Sequence, residues 1–404
     1  MTREVVVLAL LTGCAGYSPV TQSDASDTND AVATDAVFID SSDATTVLDV
    51  PTADATEDVP NPIDAPVEDV VDPVDAPTDA PPATYQNLVL DESGDPFCAR
   101  FGNAYYIYLP DQVRRDGVTV GGRVVAFRST DLVHWHALGA VFDNVDEMRG
   151  GQRSIGLWAP EALEYGGHYY LYYVTLMSNP SDPDVGDKDI EVVESTDPTN
   201  FRGGTRTVLL DDAYAFIDPS PFRDPVTGRL WLVYKRRGVF GTGSEIDIRP
   251  MDSPTSFSGA RTILIESENV PNSAQITEQP MMWRAGGEFY LLFSAGDGAG
   301  TDYHIPFATA SSPTGPFTLQ GTFFHSSADL TGDLSRAVIS PGSSSIVRDG
   351  AMQTWMVYRQ KTTTAHTFAD RGVAIDRVTF EPATDSISGT PSKGVTRRAP
   401  VALP

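Results

Sequence analysis

The chain has little cysteine and, over its first quarter, almost no basic residue. Only two of its 404 residues are cysteine, and no Lys or Arg occurs between Arg3 and Arg100. The net charge is −27, and Asp and Glu in residues 15–84 contribute 16 of these negative charges. Because phosphate contacts need a basic patch, and the sequence has none, we expect no nucleic-acid partner.

No hydrophobic run at the N-terminus is long enough to cross a bilayer. The apolar stretch from Val5 to Leu11 is too short for a transmembrane helix. It leads into "LTGC", which resembles the bacterial lipobox and predicts that residues 1–14 are a lipoprotein signal with Cys14 as the lipidated residue. An ordinary secretory signal or a wrongly assigned start codon are the alternatives. We expect export across the inner membrane and a lipid anchor at the outer membrane or cell surface of a bacterium.

Residues 15–84 contain almost no aromatic side chains and charges of one sign only. Such a segment cannot bury enough surface to offset its chain entropy, so we expect a disordered acidic tether. An acidic, cation-binding tail is the alternative. If Cys14 carries lipid, Cys98 has no partner for an intramolecular disulfide. Cys98 lies in an apolar run, which is typical of a small buried side chain rather than a catalytic thiol.

From Tyr85 onward the sequence lacks any long apolar stripe with helical spacing, so strands are expected. Five similar segments, "NAYYIYL", "GHYYLYYV", "GRLWLVYK", "GEFYLLFS" and "QTWMVYR", recur at intervals of 59 to 65 residues. Four strands with their connections need about this length. The period therefore predicts an all-β, five-bladed β-propeller over residues 85–404. A flat sandwich, the alternative, would leave the period unexplained.

The candidate site follows from the position of acidic residues within this repeat. Ten to twelve residues before the five aromatic segments stand Asp95, Trp158, Asp218, Glu278 and Ser343. Because the first strand of each propeller blade lines the central channel, these side chains are predicted to meet there. Neighbouring carboxyl groups raise one another's pKa, and two of them with an aromatic platform suit glycosidic bond cleavage. Carboxylates that hold a structural cation or water are the alternative.

The motifs "GDPF", "STDLVHW", "LWAPEALEYGGHYYLYYV", "FIDPSPFRDPVTGRLWLVY", "TEQPMMWRAGGEFYLLFS" and "SSPTGPF" resemble glycoside hydrolase family 43. The resemblance implies an inverting enzyme that acts on arabinose- and xylose-containing plant polysaccharides. It implies Asp95 as the general base and Glu278 as the general acid. Asp218 would be the third carboxylate, which tunes the pKa of the acid and orients it. Trp158 would line the sugar pocket.

The sequence also departs from this family. Ser343 stands where members often have a His associated with an axial metal or water, so we predict no cofactor and no metal, with a central calcium as the alternative. Gln279 stands where the family more often has a small residue. Arg336, shortly before the first strand of blade 5, is a further candidate for contact with a sugar hydroxyl or a carboxylate. Asp297 is expected to cap a Gly-rich turn, with contact to the substrate as the alternative. His366 is expected to be a surface or packed residue, with a position at the channel mouth as the alternative.

The sequence thus predicts a monomeric, lipid-anchored inverting glycosidase with a carbohydrate substrate carrying arabinofuranosyl or xylosyl linkages. A non-catalytic, carbohydrate-binding propeller on the cell surface is the alternative from another class. A retaining, fructan-active enzyme on a related five-bladed fold is a third hypothesis.

Overall fold

The computed structural model describes residues 83–404 except 93, 116–117, 145–146, 150–151, 178–187, 212–215 and 238–242. The predicted signal peptide, Cys14 and all but the last two residues of the predicted tether lie outside the described residues. Apart from a three-residue 3-10 helix at Ser267–Asn269, the regular structure of the described part is β-strand. Within this part no helix has the length and hydrophobicity that a bilayer crossing requires.

The described strands form five antiparallel blade sheets that follow one another along the chain, and a sixth, two-stranded sheet that includes the short first strand β1 (Thr84–Tyr85). Blade 1 consists of β2 (Phe97–Phe101), β3 (Ala104–Arg115), β4 (Val118–Ser129) and β5 (His136–Phe142). Blade 2 consists of β6 (Met148–Arg149), β7 (Gln152–Tyr165), β8 (His168–Met177), β9 (Lys188–Ser195) and β10 (Thr205–Leu210). Blade 3 consists of β11 (Phe216–Arg223), β12 (Leu230–Arg237), β13 (Ser244–Ser253), β14 (Ser256–Phe257) and β15 (Thr262–Glu266).

The last two sheets have four strands each. Blade 4 consists of β16 (Thr277–Ala285), β17 (Glu288–Ala295), β18 (Ile305–Ala310) and β19 (Thr318–Phe324). Blade 5 consists of β20 (Gly342–Arg348), β21 (Thr354–Lys361), β22 (Arg371–Glu381) and β23 (Ser386–Gly389). The final strand, β24 (Arg397–Arg398), pairs with β1.

The first strands of the blades form a closed ring. β2 contacts β7, β7 contacts β11, β11 contacts β16, β16 contacts β20, and β20 contacts β2 again. The aromatic segments identified in the sequence are the second strands β3, β8, β12, β17 and β21. The protein is therefore a five-bladed β-propeller, and the predicted fold is confirmed.

The hydrophobic core lies between blades, in five clusters that each join two neighbours. Successive side chains of a strand point to opposite faces, so a second strand serves two clusters at once. In β3, Tyr105 and Ile107 pack against blade 5, whereas Tyr106 and Tyr108 pack against blade 2. Each sheet is thus apolar on both faces and depends on both neighbours for burial.

Buried Asp376 on β22 ties the two ends of the propeller together. Its carboxyl group accepts hydrogen bonds from the hydroxyl groups of Tyr358 and Ser392, both at 2.7 Å, and from the side-chain amide of Asn87 at 3.1 Å. Asn87 belongs to the segment that precedes blade 1, and Ser392 follows the last strand of blade 5. The ring closes here through polar contacts in addition to apolar packing.

We expect Asp376→Ala to lower the free energy of unfolding by at least about 3 kcal/mol, because several buried donors lose their acceptor together. Urea denaturation measures the change. Glu381→Ala, at an exposed position of the same strand, is the matched control, and we expect it to change stability by less than about 0.5 kcal/mol. Equal effects of the two substitutions would contradict the role of Asp376 in closure.

Candidate active site

Four of the five first strands carry a β-bulge at the same place. In β7, β11, β16 and β20, two consecutive residues stand opposite one residue of the neighbouring strand. The first bulged residues, all with positive φ, are Ala159 (44°), Asp218 (57°), Gln279 (51°) and Ser343 (48°). The second bulged residues are Pro160, Pro219, Pro280 and Ser344. Pro suits this position because it has no N–H group to leave unpaired where the ladder is interrupted.

The bulges correct the repeat alignment that the sequence suggested. Trp158 and Glu278 were aligned with Asp218, but each precedes its bulge by one residue. The residues of blades 2 and 4 that are equivalent to Asp218 are Ala159 and Gln279. Counting residues back from the second strand does not reveal this shift of one residue. Aligning the blades on the Pro in the second bulged position gives the correct register.

Asp95 lies just before β2 and is held by two cations from blade 5. Its Oδ1 accepts hydrogen bonds from Arg371 Nη1 at 2.8 Å and from the hydroxyl of Ser343 at 3.0 Å. Arg359 Nε is 3.6 Å from the same oxygen. Burial alone would raise the pKa of Asp95, but the charges of Arg371 and Arg359 outweigh it and hold the pKa below its usual value. Asp95 is therefore an ionised carboxylate at neutral pH.

Glu278 lies on β16 and contacts side chains from blades 3 and 4. Lys235 Nζ donates a hydrogen bond to Oε2 at 2.7 Å, and the Tyr303 hydroxyl donates to Oε1 at 2.7 Å. Burial favours the protonated form, but the charge and hydrogen bond of Lys235, helped by Tyr303, lower the pKa of Glu278. In this arrangement Glu278 is ionised and paired with Lys235.

Asp218 on β11 has the opposite character. Gln279 donates its backbone N–H to Oδ2 at 3.0 Å and its side-chain amide to Oδ1 at 2.8 Å. Burial, and then the negative charge of Glu278, nevertheless raise the pKa of Asp218 to about 8. Since two neighbouring carboxyl groups cannot both ionise easily, the pair holds one proton at neutral pH, and that proton is on Asp218.

A fourth carboxyl group, Glu161 on β7, belongs to the same region. It shares a hydrogen bond with buried Ser220, two residues beyond Asp218, and it lies within the electrostatic influence of Asp218. Burial raises its pKa well above the usual value. Burial therefore favours the protonated form of Glu161, which lies next to blade 3.

One aromatic ring links the two ionised carboxylates. The guanidinium carbon of Arg359 lies 4.2 Å from the centre of the Tyr303 ring, whose hydroxyl donates to Glu278. The ring packs on Gly342, where a Cβ atom would come within 2.0 Å of it. A side chain at residue 342 would displace Tyr303. The backbone of blade 5 thus positions a group that contacts the Glu278 carboxylate.

The comparison with known proteins agrees with this architecture. The family model described as Glycosyl hydrolases family 43 matches residues 85–384. The chain belongs to that family.

Relatives in family 43 are distant in sequence. The chain is 26% identical over 250 residues to "Extracellular exo-alpha-(1->5)-L-arabinofuranosidase ArbA" of Cellvibrio japonicus, covering 55% of the chain and 65% of the relative. It is 25% identical over 244 residues to "Extracellular endo-alpha-(1->5)-L-arabinanase 1" of Bacillus subtilis, covering 55% and 66%. The chain thus spans just under two thirds of the length of each. A solved thermostable family-43 glycoside hydrolase shares its fold, with a TM-score of 0.67 and 22% identity over 79% of this chain and all of that one.

The structure brings some of the predicted site residues together and separates others. Ser343 contacts Asp95 directly. Trp158 is partly buried and packs against the core between blades 2 and 3, with the Lys188 ammonium 5.9 Å from its ring. Arg336 lies exposed in the loop before β20, with its side chain near Gly394 and Asp333 rather than against a channel carboxylate among the described contacts.

Lys235 and Arg359 were missed, although the sequence contains a signal for both. Each follows a tyrosine that stands opposite a bulge, Tyr234 in β12 and Tyr358 in β21. Both basic residues stand at the same position relative to the bulge, in second strands that are otherwise apolar. Burying a charge there is costly unless an acidic partner lies nearby, so the two basic residues indicate acidic partners. Arg371 and Tyr303 lie at the borders of loops, where no periodicity marks them.

Cys98 is buried, and burial raises the pKa of its thiol, as expected for a packing residue. The described residues contain no group of three or more His, Cys, Asp or Glu side chains that could hold a metal ion. The axial position of blade 5 presents the Ser343 hydroxyl, already bonded to Asp95, with two guanidinium groups beside it. This donor set does not fit a calcium ion, because the arginine charges oppose a cation.

The raised pKa of Asp218 predicts a pH-dependent stability. Protonated Asp218 contributes fully to the stability of the folded protein below pH 3.8, the pKa of this group in the unfolded chain. The contribution falls as the pH rises and is lost by about pH 8. We therefore expect the melting temperature of Asp218→Asn, relative to that of the unsubstituted protein, to increase steadily between pH 5 and 8. Thermal denaturation over that range measures it.

Asp95→Asn is the control for this experiment, because the pKa of Asp95 is lowered rather than raised. Its loss should destabilise the protein by a constant amount over the same pH range, where Asp95 is ionised in both the folded and unfolded states. Parallel curves for Asp218→Asn and the unsubstituted protein would contradict the assignment of the proton to Asp218.

Proposed function

We propose that this chain is a secreted O-glycosyl hydrolase that cleaves arabinofuranosyl or xylosyl linkages in plant-type polysaccharides or oligosaccharides with inversion of configuration. The observation that carries the proposal is the set of carboxyl groups in the channel, which come from different blades and differ in protonation. Asp95 is ionised, Asp218 is protonated, and Glu278 is ionised, with its negative charge raising the pKa of Asp218. A base and a proton source in one site are what glycoside hydrolysis with inversion requires.

Asp95 is the general base in this mechanism. Its two arginine neighbours keep it ionised, and Ser343 fixes one carboxylate oxygen through a hydrogen bond. The other oxygen, Oδ2, accepts no hydrogen bond from the residues that the structure describes, and it takes the proton from the water that attacks the anomeric carbon. Arg359 and Arg371 stabilise the negative charge on Asp95 and lose this interaction when Asp95 takes up the proton. They therefore determine how strong a base Asp95 is.

Glu278 is the group that protonates the leaving oxygen, with the proton supplied from Asp218. In the free site Lys235 occupies one oxygen of Glu278 and favours its ionised form. A sugar oxygen that binds at Glu278 competes with Lys235, and the loss of that cation contact raises the pKa of Glu278 toward that of Asp218. The proton shared by the pair can then pass to the leaving group.

The family relatives support the substrate class and a location outside the cell. Those compared above are named as arabinofuranosidase and arabinanase, and another is named "Xylosidase/arabinosidase 43B" of Humicola insolens. Two are named as extracellular. The N-terminal sequence fits export, with lipidation of Cys14 as the proposed anchor, and we propose that the protein acts as a monomer.

Hydrolysis assays on nitrophenyl pentosides, linear arabinan and xylo-oligosaccharides test this function. We expect Asp95→Asn to lower kcat by about 10²- to 10⁴-fold on every substrate. Glu278→Gln should cause a similar loss on oligosaccharides but a much smaller one on dinitrophenyl pentosides, whose leaving group needs no proton. Proton NMR of the first product should show the inverted anomer.

The pattern of losses separates the hypotheses. If Asp218→Asn, and not Glu278→Gln, shows the dependence on the leaving group, Asp218 is the acid and the roles are wrong. A retained anomer would indicate a nucleophilic mechanism. Binding of pentose oligosaccharides without turnover would favour the carbohydrate-binding propeller.

Lys235 provides an independent prediction about pH. Removing its charge should raise the pKa of Glu278, and the acid must be protonated to act, so Lys235→Met should move the basic limb of kcat/KM to higher pH. Lys235→Arg, which keeps the charge, is the control and should leave the limb nearly in place. A pH profile for Lys235→Met that overlays that of the unsubstituted enzyme would refute the link between Lys235 and the acid.

A further inference from the structure

Phe368 is an aromatic ring in an unusual setting. Among the large hydrophobic side chains that are exposed in the described part of the chain, it is the single aromatic one, and 52% of its surface is exposed. It lies in the loop of residues 362–370, which connects β21 with β22 of blade 5. A single exposed apolar side chain is normal on a protein surface, so the case for Phe368 depends on its position beside the polar channel.

The ring lies one side chain away from the proposed base. Arg371 donates a hydrogen bond from Nε to the carbonyl oxygen of Phe368 at 2.8 Å, and its guanidinium carbon is 5.4 Å from the ring centre. The same guanidinium group donates from Nη1 to Asp95 at 2.8 Å. Phe368 and Asp95 therefore contact one cation, and the ring stands at the border of the catalytic channel.

The loop that carries the ring is held by a buried cation. Lys361 is fully buried. Its ammonium group donates hydrogen bonds to backbone carbonyl oxygens of its own loop and of the neighbouring blade-4 loop. These acceptors are Ala365 (2.7 Å), Thr367 (2.5 Å) and Ala299 (2.7 Å). A buried ammonium group that lost such acceptors would be strongly destabilising, so the loop is fixed rather than free to fold over the channel.

The blade-4 loop completes the surroundings of the ring. Gly298 lies against its edge, where a Cβ atom would come within 3.2 Å of the ring. The exposed His366 and Asp297 side chains meet at 2.7 Å across the two loops. A flat apolar surface thus stands next to groups that can exchange hydrogen bonds with hydroxyls, which is the combination that the C–H face and the hydroxyl groups of a sugar ring require.

We propose that Phe368 forms a second sugar-binding subsite, which stacks a pentose unit beyond the one that is bound at Asp95. The inference rests on the proposed function and deepens it, since it assigns the protein to chains of several sugars rather than to single terminal units. Because the loop is held in place by Lys361, the ring is preorganised and little ordering entropy opposes stacking. Asp297 and His366 supply the polar rim of the subsite.

The test compares substrates of different length. For Phe368→Ala we expect kcat/KM on a linear arabino- or xylo-pentasaccharide to fall about tenfold, the size of an aromatic contact, with no more than a twofold change on the corresponding disaccharide. Phe368→Trp should restore most of the loss. Val226→Ala removes another exposed apolar side chain, in the turn between β11 and β12, and should change neither value.

Calorimetric titration with the same pentasaccharide separates this inference from the proposed function. Suppose that the unsubstituted protein hydrolyses both the pentasaccharide and the disaccharide. If Phe368→Ala then lowers activity equally on both substrates, or changes activity on neither, the subsite is wrong while the function stands. If the protein binds the pentasaccharide without hydrolysing it and Phe368→Ala weakens binding about tenfold, the function is wrong while the subsite stands. An absence of both binding and hydrolysis would overturn both.

Discussion

The chemistry of this propeller depends on the cost of placing several carboxyl groups close together in one buried channel. Asp95, Asp218 and Glu278 come from three blades, and they cannot all be ionised without charge partners. Arginine side chains of blade 5 stabilise the charge on Asp95, and Lys235 stabilises that on Glu278. Asp218 has no such cation in direct contact among the described residues, and its pKa rises. The distribution of three cations thus determines which acid keeps a proton.

The β-bulges explain how the backbone supports this arrangement. A regular strand would alternate its side chains between the two faces of a blade and send few of them to the axis. In four blades the bulge and its positive φ interrupt this alternation, and in blades 3 and 5 the first bulged residues, Asp218 and Ser343, contact groups from a neighbouring blade. A non-glycine residue in that conformation carries strain, which the closed ring of five blades must support. The interblade cores and the polar closure at Asp376 are therefore part of what keeps the site assembled.

Much of the fold could be predicted because a repeat of about 60 residues with strand periodicity has few solutions. The same repeat predicted that the three carboxyl groups lie near one another, although it aligned Glu278 and Trp158 one residue away from their true register. What the sequence could not provide was the partners of these groups. Lys235 and Arg359 lie in apolar strands whose pattern reads as packing, and their contacts join residues far apart in the chain. Protonation depends on contacts between blades, such as those of Lys235 with Glu278 at 2.7 Å and of Arg359 with Asp95 at 3.6 Å, and periodicity does not encode such contacts.

The central claim is that the site holds its proton on Asp218 while Asp95 and Glu278 are ionised. Carbon-13 NMR of protein labelled at the aspartate side-chain carboxyl carbons measures this directly, with Asp218→Asn identifying the resonance. The account predicts that Asp218 has the chemical shift of a protonated carboxyl group at pH 6 and titrates near pH 8. A resonance for Asp218 that is already ionised at pH 6 and titrates near pH 4 would contradict it.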